Sequence, residues 1–302
     1  MFHRVAGMIL GVIVVSLHGG QPKQTFALSD ATLLFGNYNE VRIVTPDDVH
    51  VVNPPVDRGY NRGYFAIPSL SARGDRIAWG YSTAWDEHRG SDRARFAIGL
   101  SPVSEPKWTS YGDFDSMGDA ALSPDGLRVA FVAQQRGQRT LMLFNVATAT
   151  FASGPYQRDL SERSYVSWSP DATRLATEIQ SGDRPPIVGV IDLATGEMRS
   201  LGVGARPRWS PIDDWIAYYS GRRCYLIHSD GTGQKEVMAI KGSRHFGWGS
   251  PVWSPDGTRL LLNVVKDGGP LLDVVLLDLK TGETTTKAES GLPVFGWAPL
   301  RR

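Results

Sequence analysis

The sequence predicts an all-β protein, a six-bladed β-propeller of four-stranded blades, and three observations lead to it. The first is a recurring phrase that ends one strand, turns and opens another. It occurs as Leu122-Ser123-Pro124-Asp125-Gly126, Trp168-Ser169-Pro170-Asp171-Ala172, Trp209-Ser210-Pro211-Ile212-Asp213 and Trp253-Ser254-Pro255-Asp256-Gly257. A worn copy, Leu70-Ser71-Ala72-Arg73-Gly74, precedes these, and an unfinished one, Trp297-Ala298-Pro299, follows. The second is the spacing: from Ser71 through Ser123, Ser169, Ser210 and Ser254 to Ala298 the intervals are 52, 46, 41, 44 and 44 residues, the period of four-stranded propeller blades. The third is an orphan set of three strands near the N-terminus, which complements the unfinished copy at the C-terminus.

The phrase is turn chemistry. Proline presets the backbone angle at the second turn position, aspartate bonds a nearby backbone amide, and glycine accepts positive φ. Short apolar runs follow it, such as Arg128-Val129-Ala130-Phe131-Val132 and Arg259-Leu260-Leu261-Leu262-Asn263, strand-like in length and composition. Each unit then carries a second strand pair around another turn, most clearly at residues 187–201 around Ala194-Thr195-Gly196 and at 274–287 around Lys280-Thr281-Gly282. Looser versions lie at 225–239 and 141–153, and in the worn unit residues 94–100 and 107–111 fill the same places. At the ends, residues 294–298 supply one innermost strand, while 32–36, 40–45 and 50–53 supply three. Joined, they make a sixth blade and close the ring, which removes the open edge.

The 302-residue chain carries 32 basic and 31 acidic residues, a formal charge of +1, so no electrostatic case for nucleic acid exists. Residues 1–27 read as a signal peptide and 28–302 as a single propeller domain. His3 and Arg4 precede an apolar run at 5–17. As a helix that run covers about 20 Å, short of the roughly 30 Å of a bilayer core. Thr25 and Ala27 offer a cleavage point before Leu28, with Gly19 or Gly20 as other choices; an uncleaved anchor is the alternative, and the only route to a membrane. The single cysteine, Cys224, lies in a strand-like run and reads as a buried small hydrophobe. An exported, periplasmic or secreted, monomeric protein is expected.

The Trp-Ser-Pro-Asp-Gly phrase, followed by an apolar strand and then by a strand ending in Asp-Leu-x-Thr-Gly-Glu, resembles the repeat of TolB-type six-bladed propellers, and is similar to the propeller domains of prolyl oligopeptidase-like enzymes. The resemblance covers residues 31–302. It implies the fold, and by analogy with TolB a role in an envelope complex; the long N-terminal domain that precedes the propeller in TolB has no counterpart here, nor is there room for a hydrolase domain.

Gly-x-Ser-x-Gly, His-Glu-x-x-His and paired-cysteine motifs are all missing from the sequence, so no catalytic triad, metal or cofactor is expected. The recurrent Asp125, Asp171, Asp213 and Asp256 read as turn residues, and Trp168, Trp209, Trp253 and Trp297 as inter-blade packing. Function is expected in the loops that enter each innermost strand and those that join second and third strands, at 53–64, 81–93, 111–119, 156–164 and 241–250. Arg58, Tyr60, Trp85, Asp86, His88, Asp119, Arg206, His245 and Trp248 are the candidate binding residues. Aromatics mixed with both charge signs suit a protein, peptide or glycan partner. The leading expectation is a non-enzymatic binding or scaffold module; the alternative is a glycan lyase or hydrolase with acid and base groups at the channel mouth.

Overall fold

The structure, a computed structural model, describes residues 28–29, 31–37, 40–52, 67–86, 90–105, 107–157, 159–160, 165–180, 183–266, 272–290 and 292–300. The segment read as a signal peptide lies outside them. The described residues form six antiparallel sheets, each a four-stranded meander. Blade 1 comprises Ser69–Leu70, Arg76–Asp86, Gly90–Pro102 and Thr109–Phe114. Blade 3 comprises Val166–Trp168, Arg174–Ile179, Ile187–Asp192 and Met198–Val203. Blade 4 comprises Ala205–Trp209, Trp215–Ser220, Arg223–His228 and Lys235–Ala239.

Two blades have a divided innermost strand. In blade 2, Ser116–Met117 and Ala121–Leu122 both pair with Arg128–Gln135, which continues into Gln138–Asn145 and Thr150–Ser153. In blade 5, Arg244–Phe246 and Val252–Trp253 both pair with Arg259–Lys266, followed by Leu272–Asp278 and Thr284–Ser290. Blade 6 is the composite: Val294–Pro299 pairs with Ala31–Asn37, which leads outward to Glu40–Val44 and Val49–Val51. The innermost strands touch one another in succession around a central channel, and Val294–Pro299 meets those of both blade 1 and blade 5.

Six hydrophobic cores hold the ring, one at each blade interface. Ile77, Trp79, Leu34, Ile43 and Phe295 fill the contact of blades 6 and 1, and Phe96, Ile98, Val129, Phe131 and Phe144 that of blades 1 and 2. Burying each such side chain contributes about 1.5–3 kcal/mol. Cys224 belongs to the core between blades 4 and 5, fully buried, and burial pushes its thiol pKa up; it is a packing residue.

The repeated phrase has two structural duties. Ser123, Ser169 and Ser254 each donate to the aspartate two residues on, and accept the N–H five residues on at 2.9 Å. Asp125, Asp171 and Asp256 accept a further N–H two residues ahead at 2.9–3.1 Å, so their carboxylates are spent within the turn. The other duty is between blades. Trp168 Nε1–H donates to the Ala121 carbonyl and Trp253 Nε1–H to that of Arg208, both at 2.9 Å. In blades 2, 3 and 5 the arginine opening the second strand covers the next blade's tryptophan: Arg128 lies 4.7 Å from the Trp168 ring, Arg174 4.9 Å from Trp209 and Arg259 5.0 Å from Trp297. Trp253→Phe keeps the ring and removes the donor, leaving a buried carbonyl. We expect a loss of about 1–3 kcal/mol, read by denaturant unfolding.

Candidate functional site

Meander topology puts the Ser-Pro-Asp turns at one end of the channel and the connections entering each innermost strand at the other. At that second end four innermost strands lose regular pairing at one level, blade 6 by one extra residue, Phe295, between Val294 opposite Phe35 and Gly296 opposite Leu34. Blade 2 carries one extra residue in 118–120, between Met117 opposite Ala133 and Ala121 opposite Ala130. Blade 4 carries one between Ala205 and Arg208, where Arg206 takes φ +56°. Blade 5 carries a larger excursion through 247–251. Bulges of this kind re-aim side chains, and here they present Asp119, Arg206 and Trp248.

Aligning the repeats explains the placement. Four residues before the phrase's serine, or before Ala298, stand Ile67, Asp119, Tyr165, Arg206, Ser250 and Val294. Their backbone N–H groups ring the channel mouth, and side chains cap three of them. Asp119 Oδ1 accepts from Ile67 at 2.7 Å, Glu178 Oε2 from Arg206 at 3.2 Å, and Asn263 Oδ1 from Val294 at 3.0 Å. Glu178, Tyr219 and Asn263 share one register, nine residues past the serine. Asn263 also donates to the carbonyls of Val294 and Trp248, both at 2.9 Å, which bolts blade 5 to the closing strand.

The mouth gathers charge in poor contact with water. Burial pushes the Asp119 carboxyl up to about 7 against the pull of the Ile67 N–H and of the Arg206 and Arg208 guanidinium groups. Burial also raises the Glu178 carboxyl, opposed by Arg206. The Arg206 guanidinium donates to the Gly247 carbonyl and lies 5.5 Å from the Tyr165 ring, so it ties blade 4 to the blade 5 excursion. Beside it Tyr219 stacks on Phe246 at 4.0 Å, with its hydroxyl buried.

Of the residues expected from sequence, Asp119, Arg206, His245 and Trp248 converge on this mouth. His245 is exposed in the first half of the blade 5 innermost strand, and Trp248 is 51% exposed two residues beyond Phe246. Trp85 and Asp86 belong to no loop: Arg76–Asp86 and Gly90–Pro102 continue as a hairpin up to the pairing of Asp86 with Gly90, because the polar, alternating run between them pairs as readily as it loops. Arg58, Tyr60 and His88 lie outside the described residues. Asp113 and Asp115 are spent on Arg95. Glu178, Tyr219 and Arg208 went unnoticed in the sequence, although each breaks the pattern of its repeat register.

No family model matches the chain. A curated TolB homologue from Chlorobium luteolum is 28% identical over 167 residues, a match covering 53% of this chain and 36% of that protein's length. The crystal structure of TolB from Acinetobacter baumannii superposes with a TM-score of 0.67 at 16% identity, over 90% of this chain and 66% of the other. The chain has the six-bladed propeller fold of TolB. A chain of a nidogen/laminin complex has the same fold, with a TM-score of 0.65 at 10% identity over 89% of this chain and 98% of that one. At these identities the structural likeness speaks for fold alone.

Proposed function

We propose that this TolB-type propeller is an exported, periplasmic binding or scaffold protein that recognises a protein partner through the channel mouth formed by blades 2 to 5. The observation that carries the reading is the blade 5 excursion, which sets a half-exposed Trp248 and an exposed His245 next to the Arg206 that anchors the loop. Tryptophan and arginine dominate the energetics of protein contacts when they sit on a rigid frame, and Asn263 and Arg206 hold this one from both sides. Export is supported by the N-terminal apolar run, and the partner class by the TolB resemblance. The free face needs no chemistry: it presents a preformed surface.

Trp248→Ala tests this. The ring is half in solvent and the substitution keeps the backbone carbonyl that accepts from Asn263, so melting is expected to stay within a few degrees. Capture of the partner from envelope extract is expected to fall at least tenfold. Leu127→Ala, an exposed apolar residue on the turn face, serves as the control and is expected to leave capture intact. Equal capture by all three proteins would reject the mouth as the contact surface.

A further inference from the structure

Two residues before the phrase's serine, or before Ala298, the six blades carry Ser69, Ala121, Ser167, Arg208, Val252 and Gly296. One long cation thus stands among five small or apolar residues at this level of the channel. Arg208 lines both the space of about 20 Å³ on the mouth side and a cavity of about 100 Å³ that runs toward the Ser-Pro-Asp turns. The first has room for one water, the second for several or for one small organic ion. The outer end of the larger cavity is rimmed by Pro124, Pro170 and Pro211, all half-buried, so it opens on the face opposite the proposed partner surface.

The donors at this level outnumber their acceptors. The Arg208 guanidinium makes no hydrogen bond or ion pair among the described residues; Asp119, on the mouth side, acts on it only at longer range. Ser69 and Ser167, 6% and 5% exposed, line the same cavity. Each hydroxyl oxygen accepts an N–H at 2.9 Å, from Leu122 and Trp209 respectively, and no acceptor among the described residues takes either hydroxyl hydrogen. The Trp209 Nε1–H, whose counterparts in Trp168 and Trp253 donate to a carbonyl, is buried without a partner among the described residues. Groups so placed in a native structure call for a ligand, since a buried donor left unmade is costly.

We propose that the turn-face end of the channel is a binding pocket for a single carboxylate, held by the Arg208 guanidinium with Ser69 and Ser167 as flanking donors. A guanidinium fork matches the two oxygens of a carboxylate. The charge available is one, which disfavours a dianion, and the walls are the indoles of Trp168, Trp209, Trp253 and Trp297, whose positive edges suit an anion. Nothing in this pocket depends on the partner surface at the other end.

The test is the melting temperature of the full chain against sodium acetate, with sodium chloride holding ionic strength constant. A saturable rise is expected. Arg208→Gln is expected to raise melting in the absence of acetate, because a desolvated charge is gone, and to weaken the response at least tenfold. Ser167→Ala, which retains the charge, is expected to weaken it severalfold. Triglycine and its C-terminal amide distinguish the source: a rise with the free acid alone shows that a chain-end carboxylate enters, and a rise with acetate but neither peptide restricts the pocket to small acids. No saturable rise with acetate or triglycine, or an unchanged response in Arg208→Gln, overturns the proposal.

Discussion

Removal of residues 294–302 is expected to abolish cooperative melting of the propeller. The strand Val294–Pro299 pairs with Ala31–Asn37 from Ala31 opposite Pro299 to Phe35 opposite Val294, so its loss opens blade 6 along the channel. Val294 and Trp297 leave the core between blades 5 and 6, and Phe295 and Ala298 that between blades 6 and 1. The buried Asn263 loses both of its contacts to Val294. Three large apolar side chains at about 1.5–3 kcal/mol each and a stranded amide at about 1–3 kcal/mol together match the about 5–15 kcal/mol that stabilises a typical domain. Asn263→Ala removes only the bolt and should lower the melting temperature by several degrees. Calorimetry on the truncated chain checks this; an unchanged transition would show that the ring does not depend on its closing strand.

Asp119→Asn is expected to stabilise the protein at pH 8 and to leave it nearly unchanged at pH 4. The Asp119 carboxyl is pushed up to about 7 in the folded protein from the usual 3.8, so between these values the folded state holds a proton that the unfolded state has lost. Stability therefore falls as pH rises from about 4 to 7, by at most about 4 kcal/mol for a shift of this size. The asparagine carries no charge to desolvate, and its Oδ1 can still accept the Ile67 N–H. Glu178, raised by burial as well, adds to the decline in both proteins. Urea unfolding at pH 4, 6 and 8 checks the sign: a difference between wild type and variant that shrinks with rising pH would mean that Asp119 is held charged by its arginines.

How much of this could be read in advance differs by level. The Ser-Pro-Asp phrase is local chemistry, and its role survives in every turn, so blade number and closure were legible in the residues themselves. Asp119 and Arg206 were also legible, because position relative to a repeat predicts position relative to the channel. Glu178 and Arg208 were not. Glu178 sits in the strand-like run Leu175-Ala176-Thr177-Glu178-Ile179 and Arg208 just before the repeated phrase, and only comparison of registers marks Glu178 against Val132 or Arg208 against Ser167. The stretch 81–93 reads as a loop in the sequence, whereas strand pairing continues to Asp86 opposite Gly90, since polar strand ends lack the apolar alternation by which strands are recognised. The blade 5 loop is expected from sequence at 241–250, whereas Arg244–Phe246 pairs as part of the innermost strand and the excursion runs through 247–251, with Gly247 N–H donating to the Asn263 carbonyl at 2.7 Å.

The claim that recognition occurs at the channel mouth is tested most directly by photo-crosslinking. A photoreactive phenylalanine analogue replaces Trp248 at the mouth or Leu127 on the turn face, and the protein is irradiated in envelope extract. A crosslinked polypeptide obtained from position 248 and absent from 127 is the predicted result. Crosslinks from 127 alone would place the partner on the opposite face and contradict the account.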